Sequence, residues 1–158
     1  MAPVTNNLNR PPAPDLGRLL SDVLGDLAFM IADDPPPAPA PGTLWLHGAI
    51  RFDGGAHRGT VRVWCSRVFA QRLAANLLGL EPGEGTVQVG AEDALREFLN
   101  VLCGQLVTAW HGTQDVFNLS IPEVTEALDP PPPPDPAAVH CRVQVDGEPV
   151  VCAVTRGG

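Results

Sequence analysis

Two residues in the middle of this chain have types and spacing suited to chemistry. Glu97 and Asn100 lie three apart in "REFLNVLCG" (96–104). On a helix they are neighbours on one face. An asparagine amide is donor and acceptor at once and does not titrate, so it makes a poor base. It is well suited to holding a water in line with a phosphoryl group, a reaction that depends on positioning and electrostatics. A glutamate beside it can grip a lysine through a charge-assisted hydrogen bond. The plain alternative is that both belong to a solvated face.

The surrounding segment carries the helix. At about 100° per residue, Leu95, Phe98, Leu99, Leu102, Leu106 and Ala109 gather on one side of residues 90–111. Asp93, Glu97, Asn100, Gly104, Thr108 and His111 fall near the opposite meridian. Gly104 stands one turn beyond Asn100, and glycine inside a helix costs about 1 kcal/mol relative to alanine. Either another element of the protein packs closely there, or the missing side chain gives a partner room to approach Asn100.

The other elements follow from pattern. Asp15 is a helix cap, and Leu16, Leu19, Leu20, Val23, Leu24, Leu27, Met30 and Ile31 recur at helical spacing, predicting a helix through about Asp33. "DDPPPAPAPG" (33–42) stops it and reads as an extended connector. Strands are expected at 43–52 and 58–65, on either side of a Gly-rich turn. Ser66 caps a second helix that ends near Gly79, and "EPGEG" (81–85) reads as a loop. "DVFNLSIPEV" (115–124) is a strand broken by Pro122, "DPPPPPDP" (129–136) a second stiff spacer, and the last strands form a hairpin about Asp146-Gly147. This order predicts an α+β fold with helices on one face of a largely antiparallel sheet.

"SDVLGDLAFMIA" (21–32) also echoes "EDALREFLNVLC" (92–103), and each is followed by strands joined by a "DG" turn. The echo hints at two equivalent halves; chance likeness of two amphipathic helices is the alternative.

Composition narrows the function. With 158 residues the chain can bury roughly 70% of its unfolded surface, enough for one core. It divides into a flexible tail, 1–14, and a domain, 15–158. A net charge of −8 with scattered cations argues against nucleic acid. Cys65, Cys103, Cys141 and Cys152 have no zinc spacing and read as small buried hydrophobes in a reducing compartment, with a Cys141–Cys152 bridge as the alternative. No signal peptide or membrane-length apolar run is present, so a soluble cytoplasmic protein is expected. No G-x-S-x-G or P-loop occurs, and His47, His57, His111 and His140 sit apart in the sequence, so no nucleophile–base pair stands out.

The run "DALREFLNVLCGQLVTAW" resembles the signature helix of the CheC/CheX chemotaxis phosphatases, an E-x-x-N motif followed by Gly. "RFDGGAHRGTVRVWCSRVFAQRLAANLLGL" and "FNLSIPEV" are similar to the family's strand–helix unit and later strand, and the likeness spans about residues 16–155. It is nearest to CheX, because the first helix has Asp26-x-x-Phe29 where a second motif would stand, leaving one candidate site.

The resemblance implies a two-layer fold with a six-stranded antiparallel sheet, and dephosphorylation of a CheY-like response regulator. Asn100 would orient the attacking water and Glu97 would pair with the regulator's active-site lysine. Asp93 and Gly104, on the same helical meridian, are expected from their position to contact the partner. Mg²⁺ would belong to the regulator, with no cofactor or metal held by this chain, and a homodimer is implied. A non-catalytic regulator-binding or dimerisation module of the same fold is the competing reading. The chain departs from the family pattern at Gly104-Gln105, with no lysine following, and in its two proline-rich spacers.

Overall fold

A computed structural model describes residues 15–34, 41–78, 85–133 and 135–157. The expected tail at 1–14, the middle of the first spacer and most of the "EPGEG" loop lie outside the described residues.

Helix α1 spans Leu16–Ala28. The Asp15 carboxylate accepts a hydrogen bond from the Arg18 amide at 2.7 Å, satisfying a free donor of the first turn. Leu16, Leu19, Leu20, Val23 and Leu24 are buried. The helix is shorter than its periodicity predicts. Phe29 turns left-handed at φ 56°, and the Phe29 and Met30 amides donate back to the Gly25 and Leu24 carbonyls at 3.1 and 3.0 Å. Met30 is then buried while Ile31, counted in the apolar stripe, is exposed. The chain beyond is claimed by the sheet: Asp33 exchanges two backbone hydrogen bonds with Gln144, at 2.8 and 3.0 Å. Proline at 35 also excludes a helical continuation.

Strands β1 (Trp45–Asp53) and β2 (Arg58–Ser66) form the first hairpin, within two residues of the expected bounds. The Ser66 hydroxyl accepts from the Phe69 amide at 3.0 Å and starts α2, Arg67–Leu78. Helix α3 runs from Gly85 to His111, so it begins about five residues before the periodic stripe and takes in the last residue of the expected loop. Strands β3 (Asn118–Leu119) and β4 (Glu123–Ala127) are the two pieces on either side of Pro122. Strands β5 (Val139–Val145) and β6 (Glu148–Arg156) close on Asp146 and Gly147, both at positive φ as a tight hairpin turn demands.

The strands form one antiparallel sheet of six, in the order β3-β1-β2-β6-β5, with β4 also paired to β1. One face of the sheet meets the helices. Leu46, Ile50, Phe52, Val61, Val63, Cys65, Val150, Cys152 and Val154 point into that core with the apolar stripes of α1, α2 and α3. The topology matches the internal echo: hairpins β1–β2 and β5–β6 meet along β2–β6, α3 packs on β1, and α1 packs on β5.

Candidate functional site

The site is built on α3, and its rigidity comes from what α3 buries. Ala91, Ala94, Leu95, Phe98, Leu99, Leu102, Cys103 and Leu106 are almost wholly hidden. They recur three and four apart, so one stripe faces the core and fixes the helix in rotation. Gly48 of β1 lets the helix settle. A Cβ there would lie 2.6 Å from Leu99 Cδ1 and 3.5 Å from Leu95 Cδ2. No pattern within β1 flags this glycine; its role follows only from which strand α3 crosses.

On the outward side Asp93, Glu97, Asn100 and Thr108 are exposed, and Gly104 lies among them half-buried. Glu97 and Asn100 are thus one helical turn apart on one face, as their spacing predicts. Among the described residues neither side chain has a hydrogen bond or ion pair. Both present their full polar capacity to whatever approaches.

Asp93 is different. Its carboxylate is 2.7 Å from the Arg96 guanidinium, which also reaches Glu92 at 3.8 Å. The pair consumes much of Asp93's capacity, and the signal was in the sequence, since Arg96 follows Glu92 and Asp93 at i+4 and i+3. The acids of this face outnumber its cation, so it favours a positively charged group on a partner.

At Gly104 the structure removes one of the two readings, close packing by another element of the protein. A Cβ added there would meet nothing within 4 Å. No other element packs against it, and the room above it opens to solvent. The Thr108 hydroxyl donates to the Gly104 carbonyl at 3.0 Å, so this turn keeps its polar groups satisfied.

Two histidines are less isolated than the sequence suggests. His57 and His111 stack with ring centroids 4.1 Å apart, and Phe117 and Phe52 lie 5.6 and 6.2 Å from His111. His111 therefore ends α3 in an aromatic cluster, not as a solvated terminus. His47 packs on Trp64 at 4.8 Å, with Arg62 Nη1 3.4 Å from its Nε2. Burial, and then the Arg62 charge, hold its pKa below the ordinary imidazole value.

The cysteines are all free thiols, and Cys65, Cys103 and Cys152 are buried as expected, with Cys141 half-buried. Cys141 and Cys152 face each other across β5 and β6 without a bridge. Among the described residues no group of three or more His, Cys, Asp or Glu side chains is arranged to hold a metal ion. No described helix is long and apolar enough to cross a membrane.

A family model described as chemotaxis phosphatase CheX matches residues 46–131, more than half of the chain and including all of α3. No curated protein matches in sequence. Among solved structures, a chemotaxis protein CheX from Vibrio vulnificus superposes with a TM-score of 0.67 at 18% identity, covering 90% of this chain and 93% of the other. CheX from Desulfovibrio desulfuricans gives 0.65 at 14% identity, over 90% and 96%. The CheX of a complex with CheY, BeF3 and Mg²⁺ from Borrelia burgdorferi gives 0.65 at 17% identity, over 90% and 96%. These likenesses establish the α+β fold with its open antiparallel sheet, and the matched family model, spanning the strands and helix that carry Glu97 and Asn100, establishes that the chain belongs to the CheX chemotaxis phosphatase family.

Proposed function

We propose that this protein accelerates hydrolysis of the aspartyl phosphate of a CheY-like response regulator, through one site per chain made by Glu97 and Asn100. The observation that carries this reading is the exposed, unpartnered Glu/Asn pair on one turn of a rigid helix, beside an open glycine, in a chain of the CheX family.

The chemistry follows from the two side chains. Asn100 enters the regulator's active site. Its carbonyl oxygen accepts from, and its amide N–H donates to, a water held in line with the phosphorus. The amide takes no proton; the gain lies in orientation. Glu97 holds the regulator's active-site lysine and sets the register of docking. Asp93, already paired to Arg96, contributes negative field at the rim, and Gly104 leaves room for the partner's surface. Mg²⁺ and the phosphoaspartate come with the regulator; a structurally similar CheX is found in a complex with CheY, BeF3 and Mg²⁺. On this reading the protein works in the cytoplasm and as a homodimer, formed by exchange or by edge pairing of strands; sedimentation tests the dimer.

The test is the decay of a phosphorylated receiver domain, with Mg²⁺, in the presence and absence of the protein. Asn100→Ala should lower the stimulated rate about a hundredfold, the scale of lost positioning. Glu97→Ala should weaken docking by about 1–3 kcal/mol. Full activity in both variants overturns the mechanism. Tight binding to the phosphorylated regulator with an unchanged phosphate lifetime makes the chain a docking module instead.

A further inference from the structure

The helix-free face of the sheet is not bare. Strand β4 ends at Ala127 on one side of the sheet and β5 begins at Val139 on the other, so the chain between them crosses β1, β2 and β6. At about 4.8 Å per strand the crossing needs roughly 19 Å. Eleven residues separate the two strands; fully extended at about 3.1 Å each they would reach roughly 34 Å, and part of that length goes into the turn closed by the Ala138 amide on the Asp135 carbonyl. The surplus makes an arch. Prolines 130–133 lack the N–H groups that would let the arch join the sheet, and their fixed φ keeps it from collapsing.

Beneath the arch is a cavity of about 800 Å³, within the usual range for small-molecule sites. Its floor includes Trp45, Trp64, Val151 and Ala153. Trp45 is only 4% exposed although it lies outside the main core. Two cations line the same space, Arg62 on β2 and Arg142 on β5, placed on either side of β6 by the strand register. Among the described residues neither has a carboxylate partner. The acid in the lining, Asp135, accepts the Ala137 amide at 2.8 Å. With His47 held toward its neutral form, two arginines face an occupant against the one carboxylate of Asp135, leaving the lining net positive.

We propose that the proline arch and the outer face of the sheet form a binding site for a small planar aromatic carboxylate, its ring between the tryptophans and the prolines and its anionic group on Arg62 and Arg142. The chain as a whole is acidic, so an anion is recruited by local complementarity and not by net charge. A tryptophan floor facing a proline roof suits an aromatic body that stacks on both. This site is separate from Glu97 and Asn100, which project from the helical layer on the opposite side of the sheet.

Calorimetric titration of the full chain with 2-naphthoate, and with neutral 2-naphthamide as its control, tests the proposal. Naphthoate should bind one to one, and at least tenfold more tightly than naphthamide. Arg142→Gln, at an exposed position, should cost about tenfold for naphthoate and leave naphthamide unchanged. Val151→Trp, which fills the floor, should abolish both, with circular dichroism and melting showing the fold retained. Equal binding of the two probes, binding that survives Val151→Trp, or no heat at millimolar probe each overturns the proposal. A dimer in sedimentation that Val151→Trp disperses also overturns it, by assigning the face to a second copy of the chain.

Discussion

Replacing Gly104 with alanine separates the helix from the partner. The backbone at Gly104 is helical, a conformation alanine prefers, and a Cβ there meets nothing within 4 Å. The full propensity difference should therefore appear as added stability, about 1 kcal/mol. For a chain of this length that raises Tm by roughly 2–4 °C. A partner seated over Asn100, as proposed, would experience the opposite. A methyl forced into a packed interface costs about 1–3 kcal/mol, which is about 5- to 150-fold in affinity. The assay is a thermal melt paired with receiver-phosphate decay at subsaturating protein. The expected result is a more stable and less active variant. A more stable variant with unchanged decay refutes the idea that the glycine gives clearance. A less stable variant refutes the premise that nothing in the fold uses that space.

Other substitutions test the frame that carries the site. Phe29 adopts a left-handed backbone that costs a non-glycine residue about 1–2 kcal/mol, and its side chain is exposed, so Phe29→Gly should stabilise by about 1 kcal/mol in urea unfolding. Gly48→Ala should drive a methyl into Leu99 and cost about 1–3 kcal/mol, with a loss of the proposed phosphatase activity as α3 lifts from β1. Burial raises the Cys103 thiol from 9.0 to about 12 and pushes Cys65 higher still. A raised folded-state pKa gives stability that is fully present below the unfolded value and lost as pH rises. Stability should therefore fall by about 1.4 kcal/mol per pH unit for each thiol, from pH 9 up to about 12 for Cys103. Denaturant melts across that range check the slope, and a flat profile would refute the burial argument.

The parts of this protein that repeat were the parts legible in its sequence. The stripe from Leu95 to Leu106 gave the site helix its buried face, and the same periodicity put Glu97, Asn100 and Gly104 outside together. Ser66 and Asp15 marked helix starts by cap chemistry, and Asp146-Gly147 marked the last hairpin. What failed to read was decided by distant partners. The first helix looked continuous to Asp33 because Met30 and Ile31 continue the stripe, yet Asp33 is held by Gln144, more than a hundred residues away. Gly48 and the His57–His111 stack carry no local pattern either, since each depends on one element crossing another. The proline spacer looked like a passive connector, because nothing in its sequence says which face of the sheet it spans.

The placement of Glu97 and Asn100 on a single unbroken helix, with Phe98 and Leu99 fully buried between them, has a thermal consequence. Sites assembled from loops come apart by local fluctuations well below the melting point. Here the backbone between the two residues is anchored by the buried Phe98 and Leu99, so parting their backbones requires opening the core. Amide exchange through residues 97–100 should be as slow as any in the molecule. Activity on heating should then track the cooperative transition itself, with no earlier decline, so that the working range of the protein ends where its fold does.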